Sequence, residues 1–105
     1  MTAQTLQVLA MFLRDLSHEW HGFSLVEQTG IKSGTLYPIL IRLEKAGWLS
    51  SRLEGVDPSA VGRPPRRLYV LTGEGERAAR AELDAHLSAL APAPAPVPSL
   101  RSRLA

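Results

Sequence analysis

The sequence predicts a mainly α-helical protein with a small two-stranded β-hairpin, arranged as a winged helix-turn-helix with a C-terminal dimerisation helix. Three observations predict this fold. Helical patterns precede residue 47, two strand-like segments lie between residues 48 and 72, and another helical pattern follows. The expected organisation is a winged helix-turn-helix over residues 1–72, a dimerisation helix over 73–91 and a loose Pro-rich tail over 92–105.

Composition excludes several classes of protein. The 105 residues are 45% apolar and 21% charged, as in ordinary globular domains. The absence of cysteine rules out disulfides and thiolate metal sites. No apolar run reaches the roughly 18 residues of a membrane span, and no signal peptide is evident, so we expect a cytoplasmic protein without a membrane partner.

The first predicted helix covers residues 4–16 and is apolar on more than one side. Four leucines repeat at helical spacing, namely Leu6, Leu9, Leu13 and Leu16. Val8, Met11 and Phe12 widen this surface, so we expect Val8 and Phe12 to face a second subunit. A polar connection over residues 17–22 leads to a short second helix over 23–29, with Phe23, Leu25 and Val26 pointing inward. Gly30 ends that helix.

The third helix begins at one of two possible N-caps, Ser33 or Thr35. Thr35 is favoured because it puts Pro38 in the first turn, where a missing N–H costs nothing. The predicted helix is therefore 35–46, ended by Gly47. Its apolar face comprises Leu36, Ile39, Leu40, Leu43 and Ala46.

Two strands and a last helix complete the pattern. Residues 48–54 and 66–72 form a hairpin whose loop, roughly 55–66, is the wing. Thr72 caps the last helix. We expect its stripe of Leu83, Leu87 and Leu90 to lie in the dimer interface.

The start of the third helix predicts DNA contact. In a helix-turn-helix the N-terminal residues of the second helix face base edges in the major groove. Thr35, Tyr37 and Pro38 can meet bases there, Arg42 can reach a base or a phosphate, and Lys32 lies near the backbone.

The wing carries Arg63, Arg66 and Arg67 within five positions that contain no acid, which favours phosphate contact or minor-groove insertion. An alternative for Arg67 is an ion pair with Glu54 or Asp57 across the hairpin.

Other residues favour structural interpretations. His18, Glu19 and His21 do not match the H-E-x-x-H zinc motif, and we expect neither a metal nor a cofactor. Trp20 could cover a dimer interface and Trp48 belongs to the core, although either could stack on an effector. No nucleophile motif or phosphate loop indicates an enzyme.

Two segments, "SGTLYPILIRLEKAGWL" and "GRPPRRLYVLTGEGER", resemble the PadR family of bacterial transcriptional regulators. The resemblance covers roughly residues 5–90. It implies a homodimer joined through its N- and C-terminal helices, usually a repressor, with a small-molecule effector in some members. It also implies that Ser33 and Gly34 join the DNA-contacting residues. The chain differs in its short second helix, its extra proline at 64–65 and its short C-terminal helix.

The predicted function is a dimeric, sequence-specific repressor that binds a palindromic operator on double-stranded DNA, because two recognition helices lie about one DNA turn apart. The alternative is a winged helix that binds another protein, as an anti-repressor or adaptor. An arginine-only wing argues against that alternative.

Overall fold

A computed structural model describes residues 1–90 of the chain. It contains five helices and three strands in the described part. In chain order these are α1 (Ala3–Arg14), β1 (Trp20–His21), α2 (Gly22–Thr29), α3 (Ser33–Lys45), β2 (Leu49–Leu53), α4 (Pro58–Val61), β3 (Arg67–Leu71) and α5 (Gly73–Leu90). The predicted Pro-rich tail over 92–105 lies outside the described residues.

Helix α1 is the centre of the hydrophobic core. The Thr2 side chain caps it by accepting a hydrogen bond from the Thr5 N–H at 3.1 Å. Val8 and Phe12 are only 0% and 1% exposed because they pack inside their own chain. Their predicted place in the dimer interface is therefore wrong: both wide faces of α1 are covered by the fold itself, with residues of α2, α3, β3 and α5 in the same core.

Helices α2 and α3 form the helix-turn-helix. Gly30 ends α2 as predicted, with φ +74° and its N–H donating to the Val26 carbonyl at 2.9 Å. Leu25 is fully buried and Val26 packs on the core, as expected. Phe23 is 62% exposed, so its predicted inward orientation is wrong. In an eight-residue helix only one narrow side reaches the core, and Leu25 occupies it.

Helix α3 begins earlier than predicted. It starts at Ser33 with Lys32 as N-cap, and the Lys32 carbonyl accepts from the Thr35 and Leu36 N–H groups, each at 2.9 Å. Pro38 is thus the sixth helical residue and deprives the Gly34 carbonyl of a donor. Both residues are exposed, so solvent can satisfy that carbonyl. The helix ends at Lys45, and Gly47 follows with φ +82°.

The sheet has three strands, not the two of the predicted hairpin. β3 lies in the middle, with β2 antiparallel on one side and β1 antiparallel on the other. Trp20 pairs with Tyr69 and His21 with Leu68. The polar segment before α2 therefore covers the backbone edge that β3 would otherwise expose. The wing loop also contains the single turn α4, capped by Asp57.

Helix α5 is fastened to the end of α3. The Thr72 hydroxyl accepts from the Gly75 N–H at 2.9 Å, as expected of an N-cap, and donates to the Gly47 carbonyl at 2.7 Å. Ala79 is fully buried, and α5 packs on α1 and β3. Further along, Leu83 is half-buried, while Leu87 and Leu90 are 62% and 68% exposed. None of the helices in residues 1–90 is long and apolar enough to cross a membrane.

Candidate nucleic-acid interface

The outward side of α3 is a row of residues spaced three and four apart. Leu36, Ile39, Leu40 and Leu43 are buried and fix the inward side. At 100° per residue, the opposite side consists of Gly34, Pro38, Ile41 and Lys45, all exposed. We call these four residues the α3 row. Ile41 and Lys45 were not among the predicted contacts, although their spacing from Pro38 would have revealed them.

The remaining predicted contacts of α3 flank this row. Lys32, Ser33 and Thr35 are exposed at its first turn. Arg42 lies on one flank, at the edge of a cleft of about 470 Å³ that also includes Met1, Trp48 and Glu82. It can extend from that edge because its side chain is exposed. The first turn and both flanks are therefore open to a large partner.

Tyr37 lies on the other flank and joins α3 to α2. A Cβ atom on Gly22 would overlap the Tyr37 ring, so the ring rests directly on the backbone of the first turn of α2. Only a glycine at position 22 allows this approach. Tyr37 remains exposed on its outer side, so the same residue contacts α2 and contributes to the outward surface.

Arg63 is held inside the wing. Its guanidinium donates to both carboxylate oxygens of Glu54, at 2.6 and 3.3 Å. The Arg66 backbone N–H also donates to Glu54, at 3.1 Å. These two donors, Arg63 first, lower the pKa of Glu54 to about 2. Arg63 therefore braces the base of the wing, a role that the sequence did not reveal.

Arg67 does not form either predicted ion pair. It donates to the Ser51 hydroxyl at 3.1 Å, and Ser51 in turn donates to Glu44 at 2.7 Å. Glu54 is occupied by Arg63, and Asp57 caps α4. Arg67 therefore stays exposed on the strand, on the side of the wing that faces α3 through Glu44.

Arg66 lies beside His21 at the base of the wing. Its Nη1 atom is 3.3 Å from His21 Nε2. Both residues border a cleft of about 240 Å³ that Tyr37 and Tyr69 also line. Tyr69 is buried in the core, and burial raises the pKa of its hydroxyl. Arg66 and Arg67 therefore bring positive charge to the wing side of this cleft, and Tyr37 forms its α3 side.

A second ion pair braces the sheet from the opposite edge. Arg52 of β2 donates to both carboxylate oxygens of Glu19 at 2.7 Å, and these hydrogen bonds lower the pKa of Glu19. Glu19 immediately precedes β1, so the pair ties the two outer strands together across β3.

The aromatic and histidine candidates have structural surroundings. Trp20 and Trp48 are both half-buried against the core, although Trp48 also lines the cleft beside Arg42. His18 contacts Trp20 edge-on, with ring centroids 4.3 Å apart. Within residues 1–90, no three His, Cys, Asp or Glu side chains are grouped to bind a metal ion.

A helix-turn-helix followed by an antiparallel sheet with a basic wing defines a winged-helix protein. The model of the transcriptional regulator PadR-like family matches residues 13–81. The chain belongs to that family and is a transcriptional regulator.

Solved structures agree with this assignment. The PadR family transcriptional regulator from Eggerthella lenta DSM 2243 is 31% identical, with TM-score 0.62, over 79% of this chain and 72% of that chain. The protein smu.1704 from Streptococcus mutans UA159 is also 31% identical, with TM-score 0.62, over 82% of this chain and 80% of that one.

The protein AbfR, solved bound to DNA, shares the fold at 24% identity and TM-score 0.67, over 89% of this chain and 59% of that chain. No functionally curated protein matches the chain in sequence.

Proposed function

We propose that the chain is a dimeric, sequence-specific repressor that binds DNA with α3 in the major groove. The observation that carries this proposal is the α3 row, exposed on a helix whose opposite side is buried in the core. A winged helix presents the second helix of its helix-turn-helix in this way to base edges. The protein AbfR, which has the same fold, was solved bound to DNA, and this supports DNA as the partner.

The chemistry of the α3 row and of its flanks suits contact with both bases and backbone. Pro38 and Ile41 offer apolar surface that can contact the methyl group of thymine. Lys45 and Arg42 carry charges that can pair with phosphates or with guanine acceptors. Thr35 and Tyr37 add hydroxyl groups at the first turn. The apolar centre and charged margins therefore favour sequence discrimination above simple attraction to DNA.

In the wing, Arg66 and Arg67 are the candidates for phosphate contact. Arg63 is less available for a phosphate because its guanidinium already donates to Glu54 at 2.6 Å. We infer that Arg63 contributes mainly by holding the wing in place. The wing would then lie along the backbone next to the groove that α3 enters.

The dimer would form through the second half of α5. Leu87 and Leu90 are largely exposed although both are leucines on one side of the helix, and Leu83 continues their stripe. Burying this stripe against a second copy removes apolar surface from water. A twofold dimer would place its two α3 helices roughly 34 Å apart, so the operator would be a palindrome or near-palindrome.

The second candidate is a winged helix that binds a protein and not DNA. The exposed Ile41 and Phe23 are the observations that favour it, since apolar surface groups suit a protein partner. The exposed Lys32 and Lys45 favour DNA as the partner, because protein interfaces are depleted in lysine.

The test is selection of binding sites from a random pool of duplex DNA, followed by measurement of affinity over a salt series. We expect an enriched palindrome bound by two chains. Lys45→Ala should lower the magnitude of the salt slope by about 1, because one phosphate contact is lost. Arg80→Ala, which removes an exposed α5 arginine paired with Glu76, should leave the slope unchanged. Failure to enrich any sequence would favour the protein-binding candidate.

A further inference from the structure

The cleft at the base of the wing contains a histidine that the DNA-binding prediction did not include. It lies between the first turn of α2 and the start of β3, and its volume is about 240 Å³. His21, Tyr37, Arg66 and Arg67 border it. Tyr37 also flanks the α3 row, so the cleft adjoins the proposed DNA-binding surface.

The His21 ring faces a hydrogen-bond donor at each of its two nitrogens. The Ser24 N–H donates to Nδ1 at 3.3 Å, which makes His21 the N-cap of α2. The Arg66 guanidinium, which can only donate, is 3.3 Å from Nε2. A neutral imidazole has one lone pair available in its ring plane, so it cannot accept from both groups.

The cap determines which nitrogen carries the proton. Nδ1 satisfies an N–H of the first turn of α2, one of the groups that a helix start leaves without a partner. Burial, and then the charge of Arg66, lower the pKa of His21, which keeps the ring neutral at pH 7.5. The proton therefore lies on Nε2, and two donors, Nε2–H and Arg66 Nη1–H, face the same space.

Two adjacent donors without a shared acceptor form a site for an oxyanion. We propose that His21 and Arg66 together bind one phosphate group in this cleft, His21 through its Nε2–H, and that the phosphate belongs to the backbone of bound DNA. This inference rests on the proposed function. A phosphate oxygen would accept a hydrogen bond from each group, so the two N–H donors would no longer face each other without an acceptor. The neighbouring Arg67 and the Tyr37 hydroxyl add charge and a further donor.

The surrounding charges permit an anion. Two carboxylates influence His21, those of Glu54 and Glu27. Glu54 is occupied by the Arg63 guanidinium and the Arg66 backbone N–H, so its charge is largely compensated. The Arg66 side chain has no carboxylate among its hydrogen-bond partners in the described residues. Its charge is therefore available to a phosphate.

The first measurement needs no DNA. Long-range ¹H–¹⁵N correlation spectra of the free protein at pH 7.5 report the tautomer of each histidine. We expect His21 to carry its proton on Nε2. A proton on Nδ1 would overturn the inference, because Nε2 would then be an acceptor and would repel phosphate.

The second measurement compares variants with DNA. His21→Asn retains a side-chain oxygen for the cap but loses the Nε2–H. We expect its affinity to fall about tenfold, because a hydrogen bond to a charged group is lost. The loss should be equal on the selected operator and on a scrambled duplex, because a phosphate is common to both. His18→Asn is the matched control, and it should bind like the parent protein.

Arg66→Gln should weaken binding and also lower the magnitude of the salt slope by about 1. The fold-decrease in DNA affinity of the double variant should be smaller than the product of the two single fold-decreases, because both groups bind one phosphate. Independent losses would overturn the shared site. Retained affinity in His21→Asn would overturn this inference alone, whereas a parent protein that binds no duplex would overturn the proposed function as well.

Inorganic phosphate distinguishes the two sources of the anion. At about 10 mM phosphate we expect the His21 signals to stay in place, while DNA shifts them. If free phosphate shifts them and DNA does not, the cleft binds a free phosphate and its assignment to the DNA backbone is wrong.

Discussion

Gly75 lies where the first turn of α5 crosses the turn between α3 and β2. A Cβ atom there would overlap the Trp48 carbonyl oxygen and lie 2.7 Å from the Trp48 carbonyl carbon. The obstructing atoms are backbone atoms, and the Thr72 hydroxyl and N–H hold the same turn at 2.7 and 3.0 Å. Neither side can move without losing these hydrogen bonds. We therefore predict that Gly75→Ala destabilises the protein.

The expected magnitude follows from two opposing terms. Forcing a methyl group into a filled contact costs about 1–3 kcal/mol. Replacing a helical glycine by alanine returns up to about 1 kcal/mol. Because backbone atoms obstruct the methyl group, the cost should lie in the upper part of that range, about 2–3 kcal/mol. After a return of about 1 kcal/mol, the net loss should be about 1–2 kcal/mol in the free energy of unfolding. For a domain of this size that corresponds to a decrease of roughly 4–16 °C in melting temperature.

Gly73, two residues earlier in the same turn, provides the matched control. A Cβ there would meet only Arg77 Nη1, at 3.6 Å, which is an ordinary contact with the end of a flexible side chain. Gly73→Ala should leave stability unchanged or raise it slightly. Urea unfolding of both variants at one protein concentration measures the difference. Equal stability of the two variants would refute the reasoning, because the close approach of α5 to Trp48 would then not affect the free energy of unfolding.

Three further predictions concern the core, the wing and the dimer. Phe12→Ala should lower the free energy of unfolding by about 3–5 kcal/mol, as expected of a core aromatic and not of an interface residue; a change below 1 kcal/mol in urea unfolding would contradict its burial. Glu54→Gln should lower stability at neutral pH. Because the pKa of Glu54 is lowered from 4.5 to about 2 in the folded state, the difference from the parent protein should shrink as pH falls through that window, and a constant difference in acid titrations would exclude the Arg63 contact as its cause. Leu87→Asp should yield monomers in sedimentation and weaken operator binding; an intact dimer would exclude the end of α5 as the interface.

The order of the main helices and strands could be predicted from local signals. Gly30, Gly47 and Thr72 mark helix boundaries by their own backbone or side-chain chemistry, and the structure uses them for that purpose. The start of α3 could not be read in this way. A start at Ser33 is tolerated because Pro38 is exposed. The exposure of Pro38 depends on the tertiary structure, which helix propensity does not describe.

Contacts between distant segments account for the other differences. Strand β1 exists because Trp20 and His21 meet the edge of β3, about fifty residues later. Phe12 is buried because the described chain surrounds both wide faces of α1, which a helical pattern alone could not distinguish from a dimer interface. Arg63 is restrained by Glu54 across the wing loop. In each case the contact joins residues that local sequence patterns do not relate, so it became visible only in the folded structure.

The measurement that tests the central claim most directly is the ratio of dissociation constants for a scrambled duplex and the selected operator at one fixed salt concentration. It is made for the parent protein and for Ile41→Ala, which alters the centre of the α3 row without removing a charge. We predict a ratio of about a thousandfold or more for the parent. The ratio for Ile41→Ala should be about tenfold smaller, through loss of operator affinity alone. A parent ratio near one, or an unchanged ratio in Ile41→Ala, would contradict the claim that this row reads the DNA sequence.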